Sequence, residues 1–151
     1  MIYYRKSSIN DCIELGPKLR KADLEEVKAS SNMSGTDALL HGLSSSDECY
    51  TMLDTKTGEP IGMFGIVFFK ATPSKSPWML ATDKLTELHN SKVFLKECTV
   101  WLDNHNTGYC LFNEVDARNT VAIQWLRWCG FQIINAIERN NALFYEFVRV
   151  R

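Results

Sequence analysis

The chain has 151 residues and a mass of 17.3 kDa, with 45% hydrophobic, 11% aromatic and 23% charged residues. That composition excludes a disordered, collagen-like or coiled-coil chain, and the length fits one domain whose core needs no disulfide or structural metal. With 17 basic and 18 acidic residues the net charge is −1, which argues against binding driven by nucleic-acid phosphates. The longest apolar run, IGMFGIVFF at residues 61–69, is about half the length of a membrane-spanning helix. The start, MIYYRKSS, meets charge at Arg5 and has no signal-peptide core. No membrane insertion and a cytosolic setting are therefore expected.

In chain order, residues 2–5 alternate like an edge strand. From Asn10 the apolar positions Ile13, Leu15, Leu19, Leu24 and Val27 recur at helical steps. Asn10 or Asp11 is the expected cap, and Gly16-Pro17 should break this helix in two. Residues 30–35 read as a loop and 36–43 as a second helix. Glu48–Leu53 and Pro60–Phe69 read as a hairpin, and apolar residues on both faces of the second strand place it inside the sheet. Residues 71–76 read as a loop and 78–82 as a short strand.

Residues 90–104 form a helix with Phe94, Leu95, Cys98, Trp101 and Leu102 on one face and Gly108 just past its end. Residues 109–115 are a strand. Residues 119–130 are the clearest helix, with Val121, Ala122, Trp125, Leu126 and Cys129 on one face and Gly130 as terminator. A last hairpin, 131–137 with 142–150, turns at Arg139-Asn140-Asn141. The fold class is α/β: a mixed, mostly antiparallel sheet of six to seven strands with helices on both faces, in one domain spanning residues 1–151.

The five cysteines are odd in number, lack CxxC spacing and mostly sit in apolar segments, where a thiol acts as core filler. His41, His89 and His105 have no zinc spacing, so no metal is expected.

The element order and the segment NTVAIQWLRWCGF, with Asn119, Ala122, Gly130 and Phe131, resemble the GNAT superfamily of N-acyltransferases. A narrower likeness, carried by LRKADLEEV (19–27), PWMLATD (77–83) and the run 113–131, is to the GNAT-like internal virion proteins of short-tailed bacteriophages. The superfamily resemblance implies two parallel strands, here 78–82 and 109–115, that splay to receive the pantetheine arm of acetyl-CoA. The pyrophosphate would then rest on the helix starting near Asn90. Asn90, Ser91, Asn113 and Asn119 are the implied cofactor-binding residues, with Lys92 and Lys96 near the phosphates. Asn119 also reads simply as a helix cap, which its residue type favours. Arg20, Asp23 and Glu26 fall in the region that shapes the acceptor or partner site, and their three-residue spacing equally suits a solvated charge pair. Asp83, beyond a strand end, is the candidate general base. Tyr109, or Tyr145, is the candidate proton donor.

Two departures stand out. The phosphate segment 83–90, DKLTELHN, has no glycine and two acids, Asp83 and Glu87. A Cβ obstructs the close approach of a pyrophosphate, and the acids repel it. Seven residues past Asn119, where the superfamily commonly has a tyrosine acid, stands Leu126. Acetyl-CoA affinity is therefore expected to be millimolar or absent. The resemblance with its two departures thus implies an atypical or catalytically degenerate N-acyltransferase relative, a phage protein in the virion or host cytoplasm that binds a host or phage protein. The alternative is an acetyl-CoA-dependent N-acetyltransferase modifying an amine on such a protein.

Overall fold

The computed structural model describes residues 3–87 and 91–150. Seven strands form one sheet in the order β1-β2-β3-β4-β5-β7-β6. They are β1 (Tyr3–Lys6), β2 (Glu48–Leu53), β3 (Pro60–Phe69), β4 (Ser74–Ala81), β5 (Cys110–Asp116), β6 (Gln132–Arg139) and β7 (Ala142–Arg149). Every neighbouring pair is antiparallel except β4 and β5. The helices α1 (Ile9–Leu15), α2 (Lys21–Ser31) and α3 (Gly35–Ser45) cover one face, and α4 (Lys92–Asn106) and α5 (Thr120–Trp128) cover the other.

Local chemistry explains most of these boundaries. Ser8 caps α1, and the carboxylate of Asp11 returns a bond to the Ser8 N–H, so the cap is a reciprocal box begun two residues before Asn10. Pro17 lies in a 3-10 turn, Gly16–Lys18, that separates α1 from α2 as the Gly-Pro pair predicts. Asn140 and Asn141 both have positive φ, 49° and 65°, in the two-residue turn between β6 and β7. Met63 of β3 packs under α1 and α3, while its neighbours Phe64 and Ile66 pack toward α4 and α5. This accounts for the apolar run on both faces of that strand.

β4 starts at Ser74, four residues before the expected 78, and runs through Pro77. A proline in an interior strand must not owe the ladder an N–H. Thr82 N donates to Ile61 O, whereas Ala81 N turns away from β3, and by strand alternation Pro77 and Met79 share the direction of Ala81. The missing N–H of Pro77 thus faces β5, where pairing has already stopped.

Asp11 is the polar knot of the β1 edge. Its carboxylate takes two bonds from Arg5, at 2.8 and 2.9 Å, one from Ser8 N and one from Thr51 Oγ1 at 2.8 Å. Burial pushes its pKa up, but the Arg5 guanidinium, the Ser8 N–H and the Thr51 hydroxyl together hold it at about 2. A depressed carboxylate stabilises the fold above its unfolded pKa and loses that contribution as pH falls through the folded value. Asp11→Asn should therefore cost about 2 kcal/mol at pH 6 and little at pH 2, which urea titrations at the two pH values would measure.

The cysteines are free. Burial pushes the Cys129 thiol up to about 11 and raises Cys98 further, so neither is a thiolate at neutral pH. No group of His, Cys, Asp or Glu among the described residues is arranged to hold a metal ion, and no described helix is long and apolar enough to cross a membrane.

Candidate functional site

The parallel pair β4–β5 defines the site by coming apart. It pairs only at Ser74 with Cys110 and Lys75 with Leu111, and the strands then diverge. At the narrow end the Asn113 side chain closes the gap: Nδ2 donates to Pro77 O at 2.8 Å, and Oδ1 accepts from Glu114 N at 2.8 Å. A side-chain amide thus bridges the two strands as a ligand amide would. The expected strand 109–115 is shifted by one residue, to Cys110–Asp116.

At the wide end α2 lies across the opening. Arg20 N donates to Ala81 O at 2.9 Å, and Asp23 Oδ2 accepts from Ala81 N at 3.0 Å. One turn on, Glu26 Oε1 accepts from Asp116 N at 2.8 Å, and another turn on, Ala29 O accepts from Asn140 Nδ2. Positions 20, 23, 26 and 29 therefore link β4, β5 and the β6–β7 turn from one helix face. Arg20 and Asp23 form a two-bonded ion pair with Asp23 only 2% exposed, so they are buried structural partners rather than a solvated pair.

Glu26 differs from the other acids nearby. Burial pushes its carboxyl up to about 7; the Asp116 N–H and the Asn119 amide pull it down, and the charges of Asp23 and Asp116 push it further up. Asp116 itself is held below the usual carboxylate range by Arg118. Asn119 precedes α5, but its side chain makes no capping bond. Its Nδ2 turns instead to Asp23 Oδ1 and Glu26 Oε1, at 3.4 and 3.5 Å, which leaves Oδ1 buried and without a partner among the described residues.

A cavity of about 920 Å³ runs through the slot and reaches both helical layers. On the α2–α3 side its walls include Glu26, Val27, Met33 and Trp78; on the α4–α5 side they include Phe94, Cys98, Trp101 and Trp125. Trp78 is a rigid wall. A Cβ on Gly42 would come within 2.6 Å of its ring and one on Gly65 within 2.8 Å of its Nε1, which donates to Ser46 Oγ at 2.7 Å. On the opposite side the Trp125 Nε1–H is buried and has no partner among the described residues. Unpaired buried polar atoms are rare, so an acceptor-bearing ligand is the natural complement to this donor.

The remaining site candidates fall elsewhere. Asp83 is exposed in the 3-10 turn Asp83–Glu87 and does not line the cavity. Tyr109 sits at the closed end, its ring centroid 4.2 Å from the buried Lys75 Nζ, and also lies off the cavity. Ser91 caps α4, accepting from Phe94 N, and Lys96 lines the cavity on the same helix. Asn90 lies outside the described residues. Trp125 read as a core aromatic in the sequence, and only the helical face it shares with Ala122 pointed toward the cavity.

The architecture has close structural counterparts. A GnaT-family acetyltransferase from Bordetella pertussis superposes with a TM-score of 0.68 at 12% identity, over 99% of this chain and 95% of that one. A GNAT-family acetyltransferase from Streptococcus pneumoniae gives 0.66 at 17% identity, over 99% and 98%. AAC(6')-Ib, in complex with an aminoglycoside and acetyl-CoA, gives 0.67 at 14% identity, over 99% and 93%. No family model and no curated protein sequence matches the chain. The chain has the fold of the GNAT acetyltransferases. The narrower likeness to phage internal virion proteins has no counterpart among these neighbours.

Proposed function

We propose that this protein is an acetyl-CoA-dependent N-acetyltransferase whose acceptor amine enters from the α2–α3 face. The observation that carries this reading is the slot through the sheet, with a carboxyl poised near neutrality at its wide end. Between β4 and β5 the residues present fit the arm of an acyl-CoA, whereas segment 83–90 suits its pyrophosphate poorly. The Met79 backbone and the Asn113 amide line the slot that its amide-bearing arm would enter, and the Trp125 Nε1–H lacks an acceptor. Ser91, Lys92 and Lys96 mark the first turns of the helix that would face the phosphates. Structural neighbours bound to CoA or acetyl-CoA support the same reading.

Acetyl-CoA, when bound, supplies a thioester acyl group open to attack by an amine. An ammonium must lose its proton to become a nucleophile, and Glu26 is the group placed to take it. With its pKa at about 7, roughly half of Glu26 is ionised at neutral pH, which suits a general base. Arg20 and Asp23 hold the β4 end in place through Ala81. Asn119 orients the Glu26 carboxyl through Oε1, leaving Oε2 without a bond from the described residues in a side chain that lines the cavity.

Calorimetric titration with acetyl-CoA tests this reading. We expect saturable one-to-one binding in the millimolar range, because segment 83–90 lacks the glycines that let a backbone approach a pyrophosphate. Asn113→Trp, which fills the slot, should abolish it. That same segment favours a second reading, a GNAT-shaped phage protein in the virion or host cytoplasm that engages a host or phage protein through its surface. No saturable binding up to about 10 mM would put that reading first.

A further inference from the structure

The acceptor side of the cavity has an uneven distribution of charge. Asp23 is held by Arg20, Asp116 by Arg118, and Glu114 by Arg139, each through more than one bond. Glu25 pairs with Lys21 at 3.8 Å. Glu26 has no cationic partner among the described residues, and its Oε2 accepts no hydrogen bond from them. Beside it is a second unfilled acceptor, Asn119 Oδ1, in a residue 3% exposed. The orientation of that amide is fixed, because turning Oδ1 toward Asp23 and Glu26 would set three oxygens against one another. Neighbouring side chains that each keep an acceptor with unused capacity call for a donor of N–H bonds.

The rest of this side offers no unpaired carboxylate to a second positive charge. Its apolar walls are Val27, Met33, Ala38, Val67, Phe69 and Trp78, and the polar side chains beside them, Ser30, Ser31, His41 and Ser45, carry no negative charge. The cations that reach it, Arg20 and Arg139, would repel one. Trp78, held in its glycine slot, presents a fixed aromatic surface to an apolar body.

We infer that the acceptor is a monocationic primary amine carrying an apolar or aromatic body, its ammonium held between Glu26 Oε2 and Asn119 Oδ1 and its body against Trp78 and Met33. This rests on the transferase reading above for its catalytic meaning, but the amine site itself is defined without acetyl-CoA. It sets the chain apart from its polycation-binding neighbours, one of them a spermidine N-acetyltransferase and another an aminoglycoside acetyltransferase.

The test is equilibrium binding of 2-phenylethylamine and of spermidine to the intact protein, with and without acetyl-CoA, alongside the Glu26→Gln variant. Wild-type protein should bind 2-phenylethylamine at least tenfold more tightly than spermidine, a comparison that needs no variant to fold. Glu26→Gln should weaken 2-phenylethylamine binding at least tenfold while still melting cooperatively and no earlier than wild type at neutral pH. Equal or tighter spermidine binding would overturn the inference, as would an unchanged affinity in Glu26→Gln. If acetyl-CoA binds and neither amine does, the amine site is wrong and the transferase reading stands. If the amine binds as predicted and acetyl-CoA does not, the transferase reading falls and the amine site stands.

Discussion

Glu26→Gln should lower kcat/KM for acetyl transfer to an amine by about 10²-fold or more, the usual contribution of a positioned base. The loss should be largest above pH 7. Wild-type activity should rise with pH through a midpoint near 7, where Glu26 ionises, and the variant should lack that limb. The same residue predicts a stability effect of defined sign. A carboxyl whose pKa is raised by folding binds its proton more tightly in the native state. Its contribution is complete below the unfolded value of about 4.5 and is lost as pH rises through about 7. Above that, wild type carries a buried charge that glutamine does not. Relative to wild type, Glu26→Gln should therefore gain up to about 3 kcal/mol between pH 4 and pH 8.5. Thermal melts at the two pH values, together with initial rates across the range, separate the catalytic effect from the structural one.

Asp23→Ala should be the most damaging single change on α2. It strands the Arg20 guanidinium, whose side chain is 13% exposed, and leaves Ala81 N without its acceptor. Removing one partner of a buried ion pair costs about 3–5 kcal/mol. For a domain of this size that is on the order of 10 °C in Tm. The variant should also free the end of β4, so amide exchange at Ala81 should accelerate more than exchange along β3. Wild-type stability in Asp23→Ala would mean that α2 does not anchor the strand.

The sequence carried the fold further than it carried the site. Glu48–Leu53 and Pro60–Phe69 are observed with the bounds that alternation and apolar content predict, because those signals come from burial on the sheet itself. Ends decided by tertiary context were less legible. The loop reading of residues 71–76 set the start of β4 four residues late, and nothing local shows that the Pro77 nitrogen faces an opening. Asp11 has the composition of a cap yet serves as the third residue of a box begun at Ser8.

At the site, the spacing of Arg20, Asp23 and Glu26 was visible in the sequence, but their burial was not. Charges at three-residue steps read as a solvated helix face until another layer covers them. Asp83 follows a strand end, the position where ligands gather in α/β sheets, yet the chain turns there into a 3-10 segment that leaves Asp83 exposed and off the cavity. Asn119 was legible as a residue of interest, although its work is done by the side chain toward α2 rather than as a cap. The unpaired Trp125 Nε1–H had no sequence signal, because a tryptophan on the apolar face of a helix is ordinarily core.

The central claim is that the opening between β4 and β5 receives an acyl-CoA, and the indole N–H resonances report on it directly. Trp78 Nε1 already donates to Ser46, whereas Trp125 Nε1 has no partner. In ¹⁵N-correlated spectra titrated with acetyl-CoA, the Trp125 indole signal, assigned by its absence in Trp125→Phe, should shift saturably as it gains an acceptor. The backbone amide of Met79 should shift with the same dissociation constant, and the Trp78 indole should move far less. A Trp125 signal that stays in place while acetyl-CoA reaches saturation elsewhere, or that never responds, would contradict the account.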